Sequence, residues 1–570
     1  MKQKTIKKIR IIAILLLSAG TLNAVAPRQW GITNGGTHYS TPSDKDAVIL
    51  PSGNVIAISS IDGVTPPLFL SDIRITKFDA NGVEIGTYTK DFWGQNQDDL
   101  PKRIILSGSF IYVMGTAHYN NGVSQDLDIF ILKLDTSLAF QGSNFFNGTN
   151  GAANADDQGV DMGKDNAGNI YVTGTTVRAA SGTDIVMLKY NSSLSPLFTK
   201  YNTSAGNAVD VPVALKVGGL GTCYLAATKS SATLGTRISA SKWASNLTKI
   251  WEAYHDAKAG AAFNDEASGV SFDPATDDIY VTGRGEFTSG DFDWTVARFD
   301  GAAGTKLWAK RYAGTLSGIT DKGADISFFN SGALYVCGSL YNLVSGVSAT
   351  HILTKKLDPA TGTTTWSRSF AGPTNENDNA AAILVTPGEN IYTIGSSERG
   401  MFGTQSYFIA LKYNASGTSV WKDSLYFILN GACNNHSTFG LRAVYNSTLQ
   451  TLIGIGHYDE CTTSFRNILV LAKYAPTSFS LKQDGKNPES ASGSFDNISV
   501  YPNPVNSEFT ISNDEEITAV NITDLTGRIV YSSAPAERVI NVNSSAWPAG
   551  IYTVIIYCGS VKTYRKIVKN

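Results

Sequence analysis

DNAGNIYVTGT, residues 165 to 175, sets a turn of Asp, Asn and Gly ahead of a run of β-branched and aromatic residues, the chemistry of a tight turn entering a strand. The stretch recurs. SGALYVCGS from Ser331, GENIYTIGS from Gly388, FIYVMGT from Phe110, TCYLAATK from Thr222 and DIYVTGR from Asp278 hold the same register, with weaker copies NVIAISS at Asn54 and TLIGIGH at Thr451. Each copy is followed by a second run of the type DIFILKLD, DIVMLKY or WTVARFD. The basic residue of that run falls at Lys77, Lys133, Lys189, Lys242, Arg298, Lys356, Lys412 and Lys473, with spacings of 53 to 61 residues. A third run carries a Trp in several copies (KIWEAYHD, KLWAKRYAG, TTWSRSFAG, SVWKDSLYF), and a fourth, such as DKGADISFF, precedes the next copy.

Four short strands in a repeat of this length specify the blades of a β-propeller and exclude a helical solenoid. The IYV and DIVML segments are apolar on both faces, as strands sandwiched between neighbouring blades must be. The prediction is an all-β chain with eight four-stranded blades over residues 27–480; seven is the alternative if the first or eighth copy is not a true blade. WGITNGGT at Trp30 aligns with WAKRYAGT at Trp308, while the eighth copy fades after LAKYAPTS without a Trp strand of its own. The first strand is therefore expected to complete the last blade and remove the open edge. Over residues 30 to about 480 the repeats resemble the bacterial β-propeller repeat families, those named for seven-bladed propellers included.

LDPATGTTTW, 357 to 366, with RFDGAAGTKLW from Arg298 and KYNASGTSVW from Lys412, is similar to the repeated docking motif of the quinoprotein alcohol dehydrogenases, which are also eight-bladed. That resemblance implies a cofactor-dependent enzyme. The physical reading is simpler: Asp or Asn caps a turn with its own side chain, Gly takes a positive φ, and Trp anchors the outer strand. The vicinal Cys-Cys of those enzymes and an identifiable Ca²⁺-holding Glu/Asn/Asp set are missing, and no stretch has the form of a nucleophile elbow, HExxH, a Walker loop or the Asp-box of the sialidases. No catalytic, cofactor or metal residue is assigned. Calcium is the one cofactor considered, through Asp-rich stretches at 156–166 and 273–278, which lack EF-hand spacing. Phe92, Trp93 and Trp294 lie outside the Trp register and are weighed as ligand-gripping aromatics against plain packing.

Charged residues make up 16% of the 570, and the formal charge of -2 offers no basic field for nucleic acid. The five cysteines form no CxxC. Cys433 and Cys461, in one repeat, are the pair expected to bridge, and Cys223 and Cys337 are expected to be small buried apolar residues.

Residues 1–26 combine a cationic lead, a short apolar run and small residues, which is a secretory signal peptide; no later stretch is long enough to span a bilayer. A polar Ser/Gly/Asn/Pro-rich linker at 481–497 precedes a small antiparallel β-sandwich at 498–570. YPNPV at Tyr501, ITDLTGRIVY, WPAGIYTVII and the basic close KIVKN resemble the type A C-terminal sorting domain of type IX secretion. By that resemblance Pro502, Asn503, Pro504, Gly527, Gly550 and Tyr552 are motif positions. It implies the type IX machinery and a surface sortase as partners, and a bacterial protein released outside the cell or attached to its outer surface. The expected role is non-catalytic binding or adhesion to a glycan or protein, and the second reading is an enzyme using the propeller channel, either a polysaccharide hydrolase or lyase or a quinoprotein dehydrogenase.

Overall fold

In a computed structural model the chain divides into two compact units, Met1–Lys486 and Asn487–Asn570. The structure describes residues 24–25, 28–474 and 499–570, apart from short loop stretches. The signal peptide (but for Ala24–Val25), Trp93, Cys433, the 481–497 linker, Asn503 and Gly527 lie outside the described residues, and so does the expected Cys433–Cys461 bridge.

The first unit is a ring of eight four-stranded antiparallel blades. Blade 1 runs through Asp46–Ile49, Val55–Asp62, Ser71–Phe78 and Glu84–Lys90, here called strands a to d from the channel outward. Blades 2 to 7 follow the same order over 99–146, 158–202, 208–255, 265–312, 322–370 and 378–425. Blade 8 takes three strands from 437–474 and its outermost strand from Arg28–Asn34, which pairs antiparallel with Phe465–Tyr474 in the register Trp30 to Lys473 and Ile32 to Leu471. Eight copies give eight blades, and the first strand closes the last.

The burial pattern follows from this geometry. Strand b of blade 2, Phe110–His118, is buried at every position but its ends, whereas strand d of blade 1 shows the alternation of a half-wet edge. The apolar core is divided into one cluster per junction. Ile56, Ile58, Ile73 and Ile75 of blade 1 meet Ile111, Val113 and Phe130 of blade 2, and six similar clusters join the later neighbours. The eighth unites Val55, Ala57 and Phe78 of blade 1 with Ile453, Ile455, Leu469 and Leu471 of blade 8. Each blade buries both faces, so the ring is one hydrophobic unit.

The periodic basic residue of strand c is a latch across the junction. Lys77 Nζ donates to Thr136 O (2.7 Å), Lys133 to Ser192 O (2.7 Å), Lys189 to Ser245 O (2.8 Å), Lys242 to Gly301 O (2.8 Å) and Arg298 to Pro359 O (2.9 Å), each acceptor lying in the c–d turn of the following blade. Lys473 of blade 8 reaches Ala80 O of blade 1 at 2.6 Å and completes the circuit. Lys356 departs from the rule and pairs with Glu389. Blade 8 takes its strand d from the other end of the chain and so has no c–d turn, and among the described residues neither Lys412 nor the buried indole N–H of Trp421 has a carbonyl to bond.

LDPATGTTTW is such a c–d turn, in blade 6. Asp358 accepts the amide of Thr361, Gly362 takes φ 68°, and Trp308 of blade 5 lies on the turn with its indole N–H on Pro359 O at 2.9 Å. A Cβ on Gly362 would come within 2.8 Å of the Trp308 ring. Trp251 over Gly304, Trp366 over Gly417 and Trp30 over Gly82 repeat the arrangement. At the junctions after blades 1, 2 and 3 the Trp position holds Gly86, Gly142 or Phe198, and the facing turn carries Leu138, Leu194 or Leu247, each at positive φ. At four junctions a large ring meets Gly, and at two a small outer residue, Gly86 or Gly142, meets Leu.

The second unit is a sandwich of a three-stranded sheet (Ser499–Tyr501, Glu508–Ile517, Glu537–Asn543) and a four-stranded one (Ile529–Ser533, Ala519–Thr523, Gly550–Cys558, Val561–Lys569). Phe509, Ile511, Val520, Ile522, Val542 and Val554 fill the space between them. Tyr552 of the sorting motif is buried, packs on Trp547 and donates its hydroxyl to Pro548 O at 2.8 Å; Gly550 opens its strand, and Pro502 and Pro504 are exposed.

Candidate functional site

Two places on the propeller gather chemistry: the central channel and a groove on the outer wall. In blades 2 to 8 the inner strand carries a bulge at one fixed place, where Lys102, Val160, Val213, Ser268, Ala324, Ala381 and Leu441 are the extra residues. The residue after the bulge is Arg103, Asp161, Ala214, Gly269, Asp325, Ala382 or Arg442; Asp46 takes this position in blade 1. One turn of backbone thus brings three carboxylates and two guanidiniums to the channel wall.

The three aspartates are used in one way. Asp161 accepts from its neighbour Met162 (3.0 Å) and from the Leu215 amide of the next blade (2.8 Å). Asp46 does the same with Ala47 (2.9 Å) and Ile104 (3.3 Å), and Asp325 with Ile326 (2.8 Å) and Ile383 (3.1 Å). Each stitches one inner strand to the next. Arg103 binds Asp161 through Nε at 2.7 Å. Burial works against charge at Asp161, but Arg103, Arg442, Lys216 and the Leu215 amide hold its carboxyl below the ordinary value. Burial wins at Asp46 and Asp325, whose carboxyls are raised. A cavity of about 260 Å³ opens here, lined by Asp46, Arg103, Asp161, Lys164, Lys216 and Arg442 among others. All three channel aspartates accept from backbone amides, and Asp161 accepts from the Arg103 guanidinium as well.

The groove lies between strands d of blades 1 and 2, has a volume of about 750 Å³, and is lined by Tyr88, Lys90, Phe92, Phe140, Ser143, Asn144 and Phe145. Phe92 packs edge-on against Phe145 (4.8 Å between centroids) and against Phe130 (5.1 Å), and Lys90 sits 4.9 Å over its ring. Phe140 is 52% exposed at the rim. Of the aromatics weighed from sequence, Phe92 belongs to this groove. Trp294 is fully buried, donates to Thr282 Oγ1 at 2.8 Å and stacks near Tyr312, so it is a packing residue. Cys223 and Cys337 are free and buried, and burial pushes the Cys223 thiol up to about 12.

Sequence reasoning missed the channel residues. Their signal was present, as an Asp in GVDMG (159–163) and GADIS (323–327) that aligns with Asp46 of KDAVI (45–49) once one residue is allowed for the bulge.

Residues 499–570 match the family described as secretion system C-terminal sorting domain. No curated protein matches the chain. Among solved structures, PorZ, a surface component of the type IX secretion system of Porphyromonas gingivalis, is similar at 13% identity, covering 96% of this chain and 99% of its own, with a TM-score of 0.24. The quinohemoprotein alcohol dehydrogenase ADHIIG of Pseudomonas putida HK5 is similar at 10% identity over 82% of this chain and 79% of its own, with a TM-score of 0.44. The propeller domain of the trilobed protease of Pyrococcus furiosus gives 8% identity over 68% of this chain and 99% of its own, with a TM-score of 0.35. At these values none of the three carries an argument about activity. The sandwich is a type IX sorting domain behind an eight-bladed propeller, and the chain is a bacterial protein that is secreted or held at the outer-membrane surface.

Proposed function

We propose that the propeller is a non-catalytic binding module delivered to the cell exterior, with a glycan chain as its first ligand class and a protein surface as the second. The observation that carries this reading is the groove lined by the rings of Tyr88, Phe92, Phe140 and Phe145 together with the polar side chains of Asn144, Ser143 and Lys90. Sugars offer C–H faces to stack on rings and hydroxyls to bond amides and ammonium groups, and a groove open along its length suits a polymer. The sorting domain engages the secretion machinery, and a surface sortase removes it.

The test is a glycan array, with a protein pull-down beside it, on the propeller freed of residues 487–570. Binding to a polysaccharide is expected, and Phe140→Ala should weaken it roughly tenfold, the value of one exposed stacking contact. Unchanged binding in Phe140→Ala, or turnover of the polymer, would move the function elsewhere.

A further inference from the structure

The inner strands of blades 2 to 7 each carry a buried aspartate within two residues of their start: Asp99, Asp157, Asp210, Asp265, Asp321 and Asp378. At four junctions strand c of the preceding blade sets another aspartate against it, giving Asp72 with Asp99, Asp128 with Asp157, Asp184 with Asp210, and Asp293 with Asp321. Like charges so placed need a counterion.

Two junctions have one in the chain itself. Lys229 Nζ stands 3.4 Å from Asp210 and Arg178 3.7 Å from Asp184, between blades 3 and 4. Arg311 pairs with Asp293 between blades 5 and 6. The first two junctions differ. Between blades 1 and 2, carboxylate oxygens of Asp72, Asp91 and Asp99 all lie within 4.8 Å of one another, and the cation there, Lys90, is stacked over Phe92. Asp99 is 1% exposed; one oxygen takes the Phe92 amide at 2.7 Å and the other has no hydrogen-bond partner. Between blades 2 and 3, Asp128 is fully buried and neither of its oxygens has a partner within hydrogen-bonding geometry, although the Asn147 amide is close enough to favour its charge. One oxygen each of Asp126 and Asp157 is likewise unpartnered.

We infer that the junction between blades 1 and 2 binds Ca²⁺, through Asp72, Asp91 and Asp99. Ca²⁺ holds carboxylate oxygens at about 2.3–2.6 Å, so two ligands of one ion stand no more than roughly 5 Å apart, the spacing found at the first junction. A basic side chain fills the same role at the other two.

The test uses the mature full chain, stripped with EDTA and titrated with CaCl₂ by calorimetry and thermal melting. Millimolar Ca²⁺ should raise the melting temperature by roughly 5 °C or more, with about one ion bound. The variant Asp72→Asn should fold at least as stably as the stripped parent, since it removes a half-buried anion beside Asp99, and should lose the Ca²⁺ response. Asp293→Asn, at a junction with its own arginine, should keep the full response. A parent unmoved by Ca²⁺, or an Asp72→Asn variant that responds as the parent does, would overturn the inference.

Discussion

Removing residues 27–40 should lower the melting temperature of the propeller by roughly 10 °C or more and leave it prone to aggregation. The deleted strand is the outer wall of blade 8. Without it Phe465–Tyr474 becomes an edge with a row of unpaired amides and carbonyls. Trp30 and Ile32 leave the cluster that joins blade 8 to blade 1, and the Trp30 indole no longer bonds Ala80 O. Losing a half-buried Trp from a packed interface costs up to about 3 kcal/mol. Arg28 also goes, and with it a cation 3.4 Å from Asp423, both side chains being almost wholly inaccessible. Leaving one member of such a pair buried costs a further 3–5 kcal/mol or so. Scanning calorimetry on the truncated and full propellers reads the difference directly, and an unchanged melting temperature would refute the closure.

Asp161→Ala is expected to be the most damaging single substitution in the channel. Its carboxylate accepts from Arg103 at 2.7 Å and from the amides of Met162 and Leu215, so its loss strands a guanidinium and two amides along the innermost wall. Breaking a buried ion pair by removing one partner costs about 3–5 kcal/mol. Asp161→Asn keeps the shape and one acceptor but not the charge, and should fall between alanine and the parent. Chemical denaturation of the three proteins orders them. A variant as stable as the parent would mean that the channel aspartates do not hold the inner strands together.

Much of this architecture is legible in the chain. The IYVTG copies are the b strands, and the regular basic residue, which the sequence shows only as a spacing, is the donor that ties six of the eight blades to the next turn. The Asp-Gly-Trp stretch resolves into a turn because its meaning lies across a junction: Gly362 is small for the sake of Trp308, more than fifty residues earlier, and Leu138 is large because Gly86 is small. No local window contains both partners. The channel charges were hidden for another reason. A single extra residue in each inner strand shifts the alignment by one, and the residues it aims inward alternate between Asp, Arg, Gly and Ala, so no column of one type stands out. The acidic junctions were half legible: the Asp-rich stretch at 156–166 contains Asp157, but its partner Asp128 lies in the previous blade. Trp294 fell outside the Trp register because it belongs to strand c, where it packs inward against Thr282 and Tyr312.

The joining of chain start to propeller end is tested most directly by a covalent bond placed across it. Thr33 and Val470 face each other in the closing pair, more than four hundred residues apart in sequence. With cysteine at both positions (Thr33→Cys, Val470→Cys), mild oxidation should give a monomer whose digest contains one peptide linking 33 to 470, as facing Cα positions of adjacent strands permit. Two unlinked cysteines, or dimers joined between chains, would contradict a ring closed by its own first strand.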